Sequence, residues 1–243
     1  MTRHLPSRPN LEHLSTQAKE LVQAHEKGDP AACGRFRLLR RFADASADRI
    51  AALETDADLD DYTYRVAGCV GEFWTHMGRA HLFPAAPVDD AFLLTHGVRF
   101  GKGLQLVNIL RDLPADLRHG RCYLPGKALA AHGLAPRDLL QPASEPRLRP
   151  LYNFWLDAAQ AHLAAGWEYT HALPRACVRV RLACAWPILI GVRTLALLRT
   201  GSVLEPEPRI RVRRAEVRAW MLRSVVCYPW SPAWRRLFVR AAT

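Results

Sequence analysis

An all-α chain is predicted by three observations. Apolar residues recur at helical spacing in nearly every segment, alanine, leucine and arginine dominate, and no run alternates with period two over the length of a strand. At 243 residues, 49% of them apolar, the chain is long enough to bury a sizeable core and too apolar to be disordered.

Taken in order, the first thirty residues pass Pro6 and Pro9 and reach Asn10, a helix N-cap ahead of LEHLSTQAKELVQAHEKG, which closes at Gly28 before Asp29 and Pro30. Leu11, Leu14, Ala18, Leu21 and Val22 form one narrow apolar stripe, so this helix must dock on something. Residues 1–30 are therefore set apart as a leader helix, either an interaction element for a protein partner or a fusion remnant, and residues 31–243 form the main helical domain. A second helix is expected over Ala31 to Thr55, carrying Asp44 and Asp48. The next, Asp60 to Thr75, reads DDYTYRVAGCVGEFWT and sets Gly68 and Gly71 three apart beside Ala67. Small residues at that spacing make a flat face for another helix or for an apolar ligand chain, a gain that must offset roughly 1 kcal/mol of helix propensity per glycine. Phe83 to Asp90 is a loop whose Asp89 or Asp90 caps the following helix.

That helix runs into Gly101 to Pro125, GKGLQLVNILRDLPADLRHGRCYLP. Gln105, Asn108, Asp112 and Asp116 follow one another at three- and four-residue spacing and share one face. Two carboxylates so close resist burial, so the row is either a wet outer face or is neutralised by a cation. Oxygen-only donors suit Mg²⁺, which completes its shell from water and phosphate. Lys102, Arg111, Arg118 and Arg121 crowd the same segment, and acids with bases together suggest a metal-bridged diphosphate. Pro114 removes a helical hydrogen bond to Leu110, so the helix is expected to kink or end there and leave Asp116 on a bent last turn.

Pro125 and Gly126 break the helix, and a Pro-rich connector spans 135 to 150 before strongly helical patterns resume over Leu151 to Ala172 and Arg179 to Leu198. The apolar run Leu182 to Val192 contains Pro187, lies between Arg181 and Arg193, and is too short to span a bilayer. It reads as a core helix or as one lining an apolar tunnel. The formal charge of +11 favours anionic partners: diphosphates, acidic lipid headgroups or nucleic acid. No zinc-finger spacing, basic zipper or RNP-like string supports nucleic acid. Trp220, Trp230 and Trp234 among C-terminal arginines suit a peripheral membrane contact. Six scattered cysteines without a C-x-x-C pair, and an N-terminus without a signal core, predict a cytoplasmic protein.

Two of these segments carry a resemblance. Gln105, Asn108, Ile109, Arg111, Asp112 and Asp116, followed by Gly120, Arg121, Tyr123 and Pro125, resemble the second aspartate-rich motif of the squalene/phytoene synthase family. Tyr62, Val66, Ala67, Gly68, Val70 and Gly71 are similar to that family's Y-x-x-x-V-A-G-x-V-G helix. By motif the resemblance covers roughly residues 56 to 240, and it implies an isoprenoid-synthase-like helical bundle, N-terminally truncated, with the leader helix added. Asp44 and Asp48 repeat the spacing of the family's first aspartate motif, but they lie too near the Tyr62 helix for equivalence and are read as helix-surface acids.

The activity implied is head-to-head condensation of two farnesyl or geranylgeranyl diphosphates through a cyclopropyl intermediate. Asn108, Asp112 and Asp116 would hold Mg²⁺, Gln105 would orient polar substrate atoms, and Arg121 with Arg211, from the string RIRVRR, would bind phosphate. Tyr62 would lie near the reacting carbons, and NADPH would be consumed if the product is squalene. Without the first motif, the chain alone is expected to turn over poorly. The alternatives left open are a remnant that binds prenyl diphosphate or a partner synthase, and a basic scaffold at a membrane surface.

Overall fold

The computed structural model describes residues 51–205, 207 and 209–243. The leader helix, Asp44 and Asp48 lie outside these residues. The expected all-α architecture is present, and Ala52–Thr243 form one unit. The second predicted helix does not reach Thr55: Ala51–Ala52 is a short strand, β1, paired with β2 (Arg121–Cys122). Thr55 is instead an N-cap, its hydroxyl accepting from the Asp58 amide at 3.2 Å while the Asp58 carboxylate accepts from the Thr55 amide at 3.1 Å.

Helix α1 (Asp56–Thr63) continues through a π-turn (Tyr64–Gly68) into α2 (Cys69–His81). Asp89 then caps α3 (Asp90–Arg118), accepting from the Phe92 amide at 3.0 Å. After β2 come α4 (Gly126–Ala131), two 3₁₀ turns (Pro136–Leu140 and Pro142–Ser144), and α5 (Glu145–Ala172). The chain ends with α6 (Val178–Thr200), α7 (Arg214–Cys227) and α8 (Ser231–Ala242). The predicted connector ends early, because Pro146 falls in the first turn of α5, where a missing amide costs nothing.

Helices α3 and α5 form the central pair, and Leu106, Leu110 and Leu113 of the one and Tyr152, Leu156 and Leu163 of the other are all buried. The flat glycine face of the π-turn and α2 is answered by α3. A Cβ on Gly71 would sit 2.0 Å from the Gly97 carbonyl oxygen, and one on Gly101 would sit 2.1 Å from the Ala67 oxygen. These small residues serve close helix packing, and the space beside them holds backbone. Helix α6 is long and apolar enough to cross a membrane by length and composition, yet Ala185, Ile188, Leu189, Val192 and Leu195 are all buried in the bundle. It is a core helix.

Pro114 does not end α3, which runs on to Arg118. The carbonyl that proline leaves without a helical donor, that of Leu110, accepts a 2.8 Å hydrogen bond from the buried Tyr152 hydroxyl. Tyr152→Phe is therefore expected to cost about 1–3 kcal/mol in urea denaturation. The cost should shrink in a Pro114→Ala background, where the restored amide can bond Leu110. Equal cost in both backgrounds would separate Tyr152 from the proline.

His162 of α5 backs onto Gly103 of α3, and its Nδ1 is buried with no hydrogen-bond partner. Burial, then the charges of Arg99 and Lys102, push its imidazole from 6.5 down to about 4, against the pull of Asp60. The unfolded imidazole protonates first as pH falls, so stability is expected to decline from pH 6.5 through about 4. His162→Gln should flatten that part of the profile measured by denaturant titration, and an unchanged slope would show that His162 is not its source.

Candidate functional site

The site forms where the C-terminal turns of α3 meet the start of the α1–α2 helix, the β2 segment and the loop after α6. Three-and-four spacing on α3 places Gln105, Asn108, Asp112 and Asp116 on one face, as the sequence predicts, with Asn108 exposed and the others half-buried. Gly120, at φ +71°, takes the left-handed conformation after the helix and turns the chain into β2. That turn brings Arg121 and Tyr123 back beside Asp116. Tyr62 packs on Tyr123 with ring centroids 5.0 Å apart. Burial, the Tyr123 hydroxyl and the Asp116 charge push the Tyr62 hydroxyl well above its ordinary value, with Arg121 opposing. Thus Tyr62, Asp116, Arg121 and Tyr123, from three separate elements, converge.

Asp112 stands one turn before Asp116 on the same face of α3. Arg111 holds it with two hydrogen bonds, at 3.0 and 2.6 Å, and Arg209 adds a third ion-paired contact. Burial raises the Asp112 carboxyl, but the two guanidiniums outweigh it and hold the group below the usual range. The phosphate-side arginine expected here was Arg211. Arg209, two positions earlier, is the arginine that contacts Asp112, and both Arg209 and Arg211 are exposed. The segment before α7 is extended and irregular, so no periodicity in RIRVRR tells which arginine contacts Asp112. A cleft of about 130 Å³ opens beside Asp112, lined by Arg111, Arg118, Glu205, Glu207 and Arg209. It has room for a phosphate group and falls well short of the roughly 300–1,000 Å³ usual for small-molecule sites. Lys102, also a candidate base, is bound to Asp60 at 2.6 Å.

The squalene/phytoene synthase family model matches residues 5–217. The chain belongs to that family. The match begins far ahead of the motifs, so all but the first four of residues 1–30, set apart as a leader helix by their sequence, fall within the matched span. Among curated relatives, the chain is 38% identical over 108 residues to the bifunctional lycopene cyclase/phytoene synthase of Gibberella fujikuroi, covering 44% of this chain and 19% of that protein. It is 35% identical over 120 residues to the presqualene diphosphate synthase of Zymomonas mobilis, covering 49% and 38%. It is 32% identical over 177 residues to the phytoene synthase of Thermus thermophilus, covering 69% and 52%. The chain thus spans between about a fifth and a half of these relatives. The fold is shared with a dehydrosqualene synthase at TM-score 0.61 and 23% identity, over 91% of this chain and 80% of that one. A TcSQS complex superposes at 0.59 and 22%, over 79% and 62%.

The residues of this squalene/phytoene synthase family member fit a hard divalent cation. Asn108, Asp112 and Asp116 offer oxygen donors only, and burial together with the Asp112 charge pushes the Asp116 carboxyl up, a strain that a cation relieves. No cluster of three or more His, Cys, Asp or Glu occurs among the described residues, so most of the shell would fall to water and phosphate oxygens.

Proposed function

We propose that the chain is a prenyl transferase of the squalene/phytoene synthase type, joining two farnesyl or geranylgeranyl diphosphates head to head with loss of diphosphate. The observation that carries this reading is the convergence of Tyr62, Asp116, Arg121 and Tyr123 beside an Asp112 already flanked by guanidiniums. Mg²⁺ held by Asn108, Asp112 and Asp116 would supply charge neutralisation at the departing diphosphate. Arg121 and Arg209 bind phosphate oxygens, and Gln105 orients polar substrate atoms. The Tyr62 ring lies near the reacting carbons, where its face stabilises positive charge. Beyond Tyr62 along the same helix, Val66, Val70, Phe73, Trp74 and Met77 present an exposed apolar stripe, against which a prenyl chain can lie and exclude water. If the product is squalene, NADPH reduces the cyclopropyl intermediate.

Turnover of labelled farnesyl diphosphate with Mg²⁺ and NADPH tests this on the purified chain. With one acid-rich helix among the described residues, Mg²⁺-dependent binding with slow turnover is expected, since leaving-group stabilisation acts only in the transition state. Asp44→Ala is the companion variant. Fast condensation that depends on Asp44 would make Asp44 and Asp48 the metal ligands of the opposite wall. Absence of Mg²⁺-dependent binding would defeat the proposal and favour the scaffold alternative.

A further inference from the structure

The C-terminal helices carry a surface that the site does not use. Of the three tryptophans expected at a membrane, Trp220 and Trp234 are only 5% and 2% exposed: Trp234 stacks on Trp167 at 5.4 Å, and both belong to the core. Trp230, between α7 and α8, is 62% exposed. On α7, Arg218, Leu222, Val225 and Val226 fall at i, i+4, i+7 and i+8 and share one outward face, with Leu222 66% exposed. On α8, Arg236, Val239 and Arg240 share another, with Val239 65% exposed. Helices α7 and α8 pack on each other and both pack on α6, so each keeps its exposed face off the bundle. The only acid of the two helices, Glu216, is bound to Arg193 of α6 at 2.6 Å, so nothing on the hairpin neutralises its arginines. Most of this surface lies beyond residue 217, where the family match ends.

We propose that the α7–α8 hairpin docks on an anionic lipid bilayer surface, with Trp230, Leu222 and Val226 entering the headgroup layer and Arg218, Arg236 and Arg240 meeting lipid phosphates. Unneutralised arginine supplies the charge complement of an acidic leaflet, and the aliphatic and indole side chains set among it supply an apolar contact that a nucleic-acid backbone has no use for. Two signals together are what interfacial binding requires. This surface is independent of the prenyl-diphosphate site.

Flotation of the full chain with phosphatidylcholine vesicles, with and without phosphatidylglycerol, tests it at low and high sodium chloride. Binding is expected only to the anionic vesicles and to fall steeply with salt. Arg218→Gln with Arg236→Gln should weaken it about 25-fold at low salt, at about fivefold per basic side chain. Trp230→Ala with Leu222→Ser should also weaken it, and unchanged circular dichroism of both variants would show that they fold. Equal binding to neutral vesicles, binding that survives both double variants, or binding lost only with Phe73→Ser on the α2 stripe overturns the assignment. So does retention on immobilised nucleic acid without flotation, which would make the hairpin a polyanion site of another kind.

Discussion

Gly71→Ala is expected to lower the melting temperature by about 4 to 8 °C. The added methyl would meet the Gly97 carbonyl at 2.0 Å, and both partners are backbone, so no rotamer change relieves the clash. The α2 and α3 axes must separate, and overpacking of this kind costs about 1–3 kcal/mol. Taking the upper value, less about 1 kcal/mol of helix propensity gained from glycine to alanine, with about 2–4 °C per kcal/mol for a domain of this size, gives the stated range. Gly126→Ala is the control, because its Cβ would meet the Leu53 oxygen at an ordinary 3.5 Å. Equal calorimetric melting of the two variants would show that the α2–α3 crossing is looser than described. The same crossing sets where Tyr62 stands relative to Asp116, so ligand binding by Gly71→Ala should weaken as well.

Asp112→Asn is expected to weaken Mg²⁺-dependent binding of farnesyl diphosphate by about 100-fold. The substitution removes one of two carboxylates from a donor row that has few others, and it also neutralises the group that Arg111 and Arg209 hold. Those two losses are separable. If Asp112 acts only by anchoring Arg209, then Arg209→Gln should reproduce the whole effect and leave the Mg²⁺ dependence flat. If Asp112 is a metal ligand, Arg209→Gln should weaken binding less and keep its Mg²⁺ dependence, since an arginine competing for the same carboxylate is gone. Isothermal titration with and without Mg²⁺ distinguishes the two, and equal affinity of Asp112→Asn and the parent chain would remove the metal assignment altogether.

The sequence by itself determined what rests on local spacing. The helical class and the shared face of Gln105, Asn108, Asp112 and Asp116 follow from periods of three and four along one helix, and the turn residues narrowed the cap of α3 to Asp89 or Asp90. Tertiary structure decided whatever depends on which distant residue fills a local vacancy. Pro114 was legible as a helix breaker, but the Tyr152 hydroxyl that satisfies Leu110 comes from 42 residues further on, in another helix, and no local pattern announces it. The glycine face of α2 fitted either a helix or a prenyl chain until α3 presented glycines of its own at the crossing. Trp220 and Trp234 look like Trp230 in a basic segment, and only the packing of α7 and α8 on the bundle sorts core from surface. Arg209 reaches Asp112 through an irregular loop, where the path of the backbone sets side-chain direction and residue spacing carries no period to read.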